Sequence, residues 1–418
     1  MTSRFLIAKI LYMAKEFVRK IYYSSVYSAL QDGNIPIQVI SGPRQVGKTT
    51  LALHLKENWH GPSIYEAADK PAIPSTAWIE EHWNKARALA TGKNCVLLIL
   101  DEVQKITGWS EKVKALVDED KRHKTNIKAL LLGSSALLVQ RGLTESLTGR
   151  FELHRIPHWS YSECLECFGL KLEDYLLFGG YPGAIPMNKD YARWGRFVRD
   201  SIIETVVGKD VLLMSPVQKP ALLRQVLGVA CAHPAQILSY QKMMGQLSEA
   251  GNTTTIAHYL HLLSAAYVLA TLQRWSGNKI RLRNSIPKLI LRDNSLANAM
   301  TFPSGGEELH NSAWKGRLVE NAVGAALIPL AEQNGGELFY WRERDLEVDY
   351  IFKLGRKLLA IEVKSGRAGK QPDGLAAFLA HNKEATGLIV GNTRTDAGIS
   401  AISLEDFFQA PERILKKM

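Results

Sequence analysis

The sequence predicts an α/β protein: a three-layer P-loop NTPase core, then a helical module ending in a wing, then a second α/β domain. Three stretches carry that expectation. Ser41–Thr50 reads SGPRQVGKTT, Cys95–Glu102 reads CVLLILDE, and a strand meander places Asp349 ahead of Glu362-Val363-Lys364.

The first stretch fits the phosphate-loop pattern G-x-x-x-x-G-K-[ST] at Gly42, Gly47, Lys48 and Thr49. Ile35–Ile40 reads as a short buried strand before it, and Lys48–Leu55 as a helix whose N-terminus faces the anion. The loop itself, Gly42, Pro43, Arg44, Gln45, Val46, Gly47, Lys48, Thr49 and Thr50, would turn its backbone N–H groups onto phosphate oxygens. Lys48 reaches the β/γ-phosphates and the Thr49 hydroxyl ligates Mg²⁺. A glycine turn that happens to carry GKT is the alternative; strand, loop and helix in order weigh against it.

In the second stretch an apolar run ends in adjacent acids. Asp101 would hold Mg²⁺ through water, and Glu102 would orient and polarise the attacking water. Along the chain there is room for one strand between the two motifs. Together with the Asp-Glu pair, this points to the ATPase branch that carries an additional catalytic glutamate, and away from a GTPase or simple kinase. Further on, Ala129–Ser135 (ALLLGSS) is a buried strand ending in hydroxyls. Ser134 or Ser135 would sense the γ-phosphate there, or simply cap a helix. Arg150, at a Gly-Arg turn before an alternating strand, is placed to stabilise charge on a transferring phosphoryl group. A surface salt bridge is the competing explanation for Arg150, and Arg44 is a second cationic candidate.

GPRQVGKTT, LDEVQKITGW, LLLGSS, ESLTGRFELHRIPHWSYSE and FGGYPGA, in that order, resemble the prokaryotic AAA-type ATPases related to the archaeal ATPase group. The resemblance runs from about Ile35 to Lys364. It implies an AAA+ core of the ASCE class that uses ATP, with Lys48, Thr49, Asp101 and Glu102 in their usual roles. It also implies Ser134 or Ser135 as sensor, and Arg150 as an arginine finger or sensor arginine. A finger acting at a subunit interface requires a homo-oligomer. The C-terminal half of such proteins has long been labelled a domain of unknown function.

At 418 residues the chain exceeds one ordinary core. The expected division is an N-terminal helix packing on the core (1–33), the ATPase core (34–165), a helical linker or lid (166–219), a winged-helix-like domain (220–302) and a nuclease-like domain (305–418). In the fourth segment, Ala221–Ala232, Tyr240–Glu249 and Thr253–Leu269 read as helices, the last two joined by a glycine turn. Val268–Arg274 and Lys279–Leu282 alternate like the strands of a wing. DNA contact would fall to His258, His261, Arg274, Lys279, Arg281 and Arg283. The proposed recognition helix has few basic residues, which favours backbone contact or packing over sequence reading.

Beyond Gly305-Gly306, a helix over Trp314–Leu330 carries Glu320, followed by strands over Leu338–Trp341, Glu347–Lys353 and Leu358–Val363. An acid, a hairpin and acid-x-lysine form the PD-(D/E)XK nuclease pattern. Residues two apart on a strand share a face, so Glu362 and Lys364 point the same way. Asp349 and Glu362 would bind Mg²⁺ or Mn²⁺ with Glu320 as an outer ligand, and Lys364 would position or deprotonate the attacking water. Glu347 shares the Asp349 face but, near the strand's start, reads as a solvated charge. An ordinary solvated sheet face is the alternative for the whole cluster. Arg342, Arg344 and Arg367 flank it as phosphate contacts.

Composition sets the outer bounds. Hydrophobic residues make up 46% and charged residues 22%, as in a soluble globular protein. The 52 basic and 41 acidic residues leave a net +11, which favours a polyanionic partner such as DNA. Cys95, Cys164, Cys167 and Cys231 include only one CxxC and read as reduced thiols of a cytoplasmic protein. No stretch is apolar enough for a membrane span, and Lys9, Lys15 and Arg19 interrupt any signal-peptide core. The expected function is ATP binding and hydrolysis that controls a DNA-binding, metal-dependent cleaving domain. The alternatives are a non-nucleolytic switch acting on a protein partner, and a motor that remodels DNA or protein without cutting.

Overall fold

The computed structural model describes residues 17–69, 74–92, 94–133, 146–212, 217–248, 252–277, 286–366, 373–391 and 399–418. They form two compact units: residues 17–157 with Ala265–Tyr267, and the chain from His158 onward.

Alternation of apolar runs with amphipathic helices builds the first unit. Its elements are α1 (Lys20–Asp32), β1 (Ile37–Ser41), α2 (Lys48–Glu57), β2 (Ser63–Ala67), α3 (Thr76–Leu89), β3 (Val96–Asp101), α4 (Trp109–His123), β4 (Ile127–Gly133) and β5 (Phe151–Arg155). The strands form one sheet in the order β2-β3-β4-β1-β5, every pair parallel. β4 thus separates β1 from β3 in the sheet, whereas the strand that the motif spacing leaves room for along the chain is β2. β1 and β3 are buried along their whole length, because helices cover both faces of a parallel sheet. Trp83, Ile79 and Val113 close the α3/α4 side of this core. The expected strand over Ala129–Ser135 is β4; Ser134 and Ser135 lie outside the described residues.

The second unit begins with helices α5 (Tyr161–Phe168), α6 (Leu172–Phe178), α7 (Tyr191–Phe197), α8 (Pro220–Ala232), α9 (Tyr240–Met244) and α10 (Thr253–Ala265). Strands β6 (Leu269–Arg274) and β7 (Lys288–Leu291) follow, then α11 (Asn294–Thr301) and the 22-residue α12 (Ser312–Gln333). The chain ends with β8 (Glu337–Glu343), β9 (Leu346–Leu354), β10 (Lys357–Val363), α13 (Asp373–His381), β11 (Ala385–Val390), β12 (Ile399–Ile402) and α14 (Leu404–Gln409). One seven-stranded sheet runs β12-β11-β10-β9-β8-β6-β7.

Two expectations change here. The helix drawn to Leu269 stops at Ala265, because Tyr267 adopts φ 59° and the Val268 amide donates to the Leu263 carbonyl at 3.0 Å. That is a Schellman end without its usual glycine, so nothing in the sequence marks it. The wing is also not a separate hairpin. β6 pairs with β8 in parallel (Gln273 with Phe339) and with β7 antiparallel, so it extends the C-terminal sheet. Lys279, Arg281 and Arg283 lie outside the described residues; the strand that pairs with β6 is the buried Lys288–Leu291.

β7 is an edge strand, and its outer backbone groups are satisfied by side chain and loop. The Leu289 amide donates to the Gln236 carbonyl at 2.9 Å. Asn321 on α12 takes the place of a further strand: its Oδ1 accepts from the Leu291 amide (2.8 Å) and its Nδ2 donates to the Leu291 carbonyl (2.9 Å). Asn321 is fully buried, so Asn321→Leu leaves a buried donor and a buried acceptor unpaired. The expected loss is about 2–4 kcal/mol, read from urea unfolding of the full chain; a change within experimental error would show that β7 needs no such cap.

Candidate functional site

The phosphate loop joins β1 to α2. Gly42 is required by contact rather than by torsion: a Cβ there would sit 2.1 Å from the Ile156 carbonyl oxygen, where the chain leaving β5 crosses the loop. Gly47, by contrast, meets nothing, but adopts φ 91°, and Gln45 is also left-handed at φ 61°. These reversals turn the loop so that α2 begins at Lys48. The Lys48 ammonium donates to the carbonyls of Gly42 (2.9 Å) and Pro43 (2.6 Å), which tethers its charge within the loop. Arg19, just before α1, donates to the Pro157 carbonyl at 2.8 Å and to the Val46 carbonyl at 3.4 Å.

Asp101 ends β3 almost fully buried. Its Oδ2 accepts from the Thr49 hydroxyl at 2.7 Å and from the Tyr65 hydroxyl at 3.0 Å. Burial, then the Asp101 charge, pushes the Tyr65 phenol far above its ordinary value, so it remains a donor. A hydroxyl and a carboxylate in contact are hard oxygen donors of the kind Mg²⁺ takes. Glu102 follows at φ 56°, a conformation costing a glutamate about 1 kcal/mol or more. Its Oε2 accepts from Gln104 at 2.8 Å and lies 3.6 Å from the Lys105 ammonium, which also pairs with Asp69. Sequence reading did not pick out Tyr65, Gln104 or Lys105. Only the neighbouring positions of Gln104 and Lys105 hinted at a role. Arg150 forms a two-point ion pair with Asp118 of α4, at 2.9 and 3.2 Å.

The second constellation sits on β9, β10 and α12. Ile361 pairs with Tyr350, so Glu362 comes next to Asp349 across the hairpin. The Asp349 Oδ2 accepts from the Val363 amide at 2.8 Å, and Glu362 Oε1 accepts from the Lys364 ammonium at 2.8 Å. Glu362 Oε2 is buried and has no hydrogen-bond partner among the described residues. Burial, helped by the Asp349 charge, pushes the Glu362 carboxyl up to about 7 despite Lys364. Burial would lower the Lys364 pKa, but the charge and hydrogen bond of Glu362, with the charges of Asp349 and Glu320, together hold its ammonium above its ordinary value.

Glu320 comes within 4.8 Å of Asp349, as the sequence reading expects, but it also has an unforeseen partner. Its carboxylate pairs at 2.5 Å with Lys288 of β7, a lysine with no exposed surface. The same ammonium lies 3.4 Å from Glu347 Oε1 and 3.5 Å from Asp349 Oδ1, donates to the Asp349 carbonyl at 3.2 Å, and stands 5.0 Å from the Tyr350 ring centre. Glu347 is therefore part of the cluster, while its side chain stays 36% exposed to solvent. Burial would lower the Lys288 pKa, but Glu320 and Asp349 more than offset it and hold the charge. Burial raises the Glu320 carboxyl, and the Lys288 ammonium 2.5 Å away pulls it back down. Tyr350 fixes the geometry by donating to the Glu320 carbonyl at 2.7 Å. Its hydroxyl fits only because residue 324 is glycine; a Cβ there would lie 2.5 Å from it. Lys288 gave no sequence signal, since a lysine opening KLIL reads as an ordinary strand end.

Around this cluster, Arg342 and Arg344 are exposed, and Arg367 lies outside the described residues. A cavity of about 800 Å³, lined in part by Lys315, Leu318, Ser365, Gly366, Leu404 and Glu405, opens beyond Lys364. On α10, His258 and His261 are both exposed.

A family model described as an AAA domain matches residues 34–165. That segment is a P-loop ATPase core of the AAA type. Two further models, both described as domains of unknown function (DUF8612 and DUF4143), match residues 169–306 and 315–407. An uncharacterized protein of Mycobacterium tuberculosis is 27% identical over 338 residues, 79% of this chain and 70% of that protein. Another from Methanocaldococcus jannaschii is 22% identical over 397 residues, covering 88% and 85%. Among solved structures, a Walker-type ATPase of Pyrococcus abyssi superposes with TM-score 0.47 at 15% identity, covering 68% of this chain and 95% of that one. DnaA of Aquifex aeolicus, bound to AMPPCP, gives TM-score 0.33 at 21% identity, covering 60% and 90%. Among the described residues, no helix is long and apolar enough to cross a membrane.

The Glu362 carboxyl supplies a pH test. Its folded pKa of about 7 lies above the ordinary 4.5 of the unfolded chain. Its contribution to stability is therefore complete below pH 4.5 and is lost as pH rises through about 7. In chelator-containing buffer, the wild type should lose on the order of 3 kcal/mol across that window relative to Glu362→Gln. Parallel stability curves for the two proteins would show that Glu362 titrates like an exposed glutamate.

Proposed function

We propose that the N-terminal unit hydrolyses ATP with Mg²⁺ and that its nucleotide state controls a C-terminal domain acting on DNA. The observation that carries the first part is the 2.7 Å contact between Thr49 and Asp101 beside the loop that ends in Lys48. The loop amides and Lys48 bind the phosphates, while Thr49 and Asp101 hold Mg²⁺, which would offset charge on the β- and γ-oxygens. Tyr65 steers Asp101, and Glu102 accepts the proton of the attacking water, restrained meanwhile by Gln104 and Lys105. Arg150 acts on a neighbouring subunit's phosphate once it exchanges Asp118 for that anion, with Ser134 as the sensor.

For the C-terminal domain, Asp349 and Glu362 are positioned to hold one Mg²⁺ or Mn²⁺. The unpartnered Glu362 Oε2 supports that assignment, because a buried carboxylate oxygen needs a counter-charge. Lys364, on the same face, would position the attacking water. The second reading, a switch that regulates a protein partner without cutting, is favoured by Lys288, which already neutralises part of the acidic cluster.

The test uses full-length protein and plasmid DNA with Mg²⁺ or Mn²⁺, with and without ATP. Cleavage lost in Asp349→Ala and Lys364→Ala, and ATP-dependent through Lys48, establishes the first reading. No cleavage, with hydrolysis intact, establishes the switch. In the ATPase assay, Lys48→Ala loses nucleotide binding, whereas Glu102→Gln keeps binding and slows hydrolysis by about 100-fold or more. Equal turnover in Glu102→Gln and wild type would remove Glu102 from the reaction.

A further inference from the structure

A nuclease-like centre on this pattern has two places for a cation: between Asp349 and the β10 acid, and between Asp349 and the helix acid. The second place is filled from within. Glu320, Glu347 and Asp349 each offer an oxygen within 4.8 Å of the others, close enough to share one cation. Lys288 Nζ lies 2.5, 3.4 and 3.5 Å from these three carboxylates.

We propose that the Lys288 ammonium is the resident cation of this three-carboxylate cage, so that the domain has no helix-side metal site and accepts a divalent ion only at Asp349 and Glu362. The inference rests on the nuclease-like reading of the cluster and narrows it to a single ion.

The lysine is held in place on every side. Its backbone lies in β7, paired with Leu272 of β6 and bridged to Ile237. Asn321 fixes the far end of β7 to α12, one residue along from Glu320, so one helix positions both the strand and its carboxylate partner. Tyr350 lies alongside and donates to the Glu320 carbonyl. The lysine has no exposed surface. A divalent ion entering this cage would have to leave Lys288 charged and unpartnered in the interior, which makes the two cations mutually exclusive. Asp349 can serve both places, because Lys288 meets Oδ1 while the Val363 amide meets Oδ2 on the hairpin side.

The experiment counts Mn²⁺ ions by electron paramagnetic resonance on the full-length, nucleotide-free protein, so that any ion at Thr49 and Asp101 is common to all variants. Wild type and Glu320→Gln are expected to bind equal numbers of ions. Lys288→Met is expected to gain about one ion per chain. That extra ion should vanish in Lys288→Met/Glu320→Gln. Thermal unfolding is the second readout: Lys288→Met should melt below wild type and recover in Mn²⁺, whereas wild type should not respond through this cage. A wild-type ion lost in Glu320→Gln would overturn the proposal, as would a folded Lys288→Met that gains none. If Lys288→Met does not fold, the comparison of wild type with Glu320→Gln decides alone. Failure of the cleavage reading shows separately, as no Mn²⁺ lost in Glu362→Gln and no cut plasmid, and leaves the cage measurement standing.

Discussion

A charge taken out of water must find its counter-charge inside the fold, and both sites in this chain are organised by that constraint. Lys48 rests on two carbonyls of its own loop, and Asp101 on two hydroxyls from different elements. These are neutral dipoles. They hold a charge in place without cancelling it, so the charge stays available to a phosphate and a metal ion. Lys288 has the opposite kind of partner. Three carboxylates close around it, and the cluster is satisfied before any ligand arrives. The first arrangement is suited to exchange, the second to permanence.

That difference sets what each site can do. The Thr49–Asp101 contact can open around Mg²⁺ because each group gives up only one hydrogen bond and regains a stronger interaction. Removing Lys288 leaves three clustered carboxylates without their counter-charge, at a cost on the order of 3–5 kcal/mol. Glu362 lies between the two cases: one oxygen is paired with Lys364, the other has no partner among the described residues. Among the described residues it is the carboxylate of the cluster with a buried oxygen left unpaired.

Much of the first unit was legible because its signals are local. A glycine pattern and an apolar run ending in Asp-Glu predict β1, α2 and β3, with chain spacing for β2 between them; the place of β4 between β1 and β3 comes from the sheet itself. The second unit was legible along strands and illegible between them. The meander over β8, β9 and β10 follows from alternation and turn residues, and Asp349, Glu362 and Lys364 lie together because a hairpin joins them. Lys288 enters from a strand 61 residues before Asp349. No periodicity or motif links the two, so only tertiary packing reveals the pair. The same holds for Arg150, where sequence offered a phosphate contact or a surface salt bridge, and the partner, Asp118, is 32 residues away on α4. Tyr267 shows a third limit: a left-handed tyrosine ends α10 where a glycine would have announced it.

Domain limits drawn from sequence divide what the fold joins. The DUF4143 match begins at residue 315, after β6 and β7, while the sheet it belongs to includes both strands. The three acids of the cage, Glu320, Glu347 and Asp349, all lie inside that match, and their counter-ion lies outside it, within the preceding segment at Lys288. The sheet and the cage thus both span the Gly305-Gly306 turn. A fragment starting there would keep three clustered carboxylates, lose the ammonium that neutralises them, and expose the β8 edge that β6 covers. Like-charge repulsion would then act on the very strand, β9, that carries Asp349. The electrostatics of the cage thus extend the folding unit back at least to β7, and the acid cluster can hold its geometry only in a chain that retains Lys288.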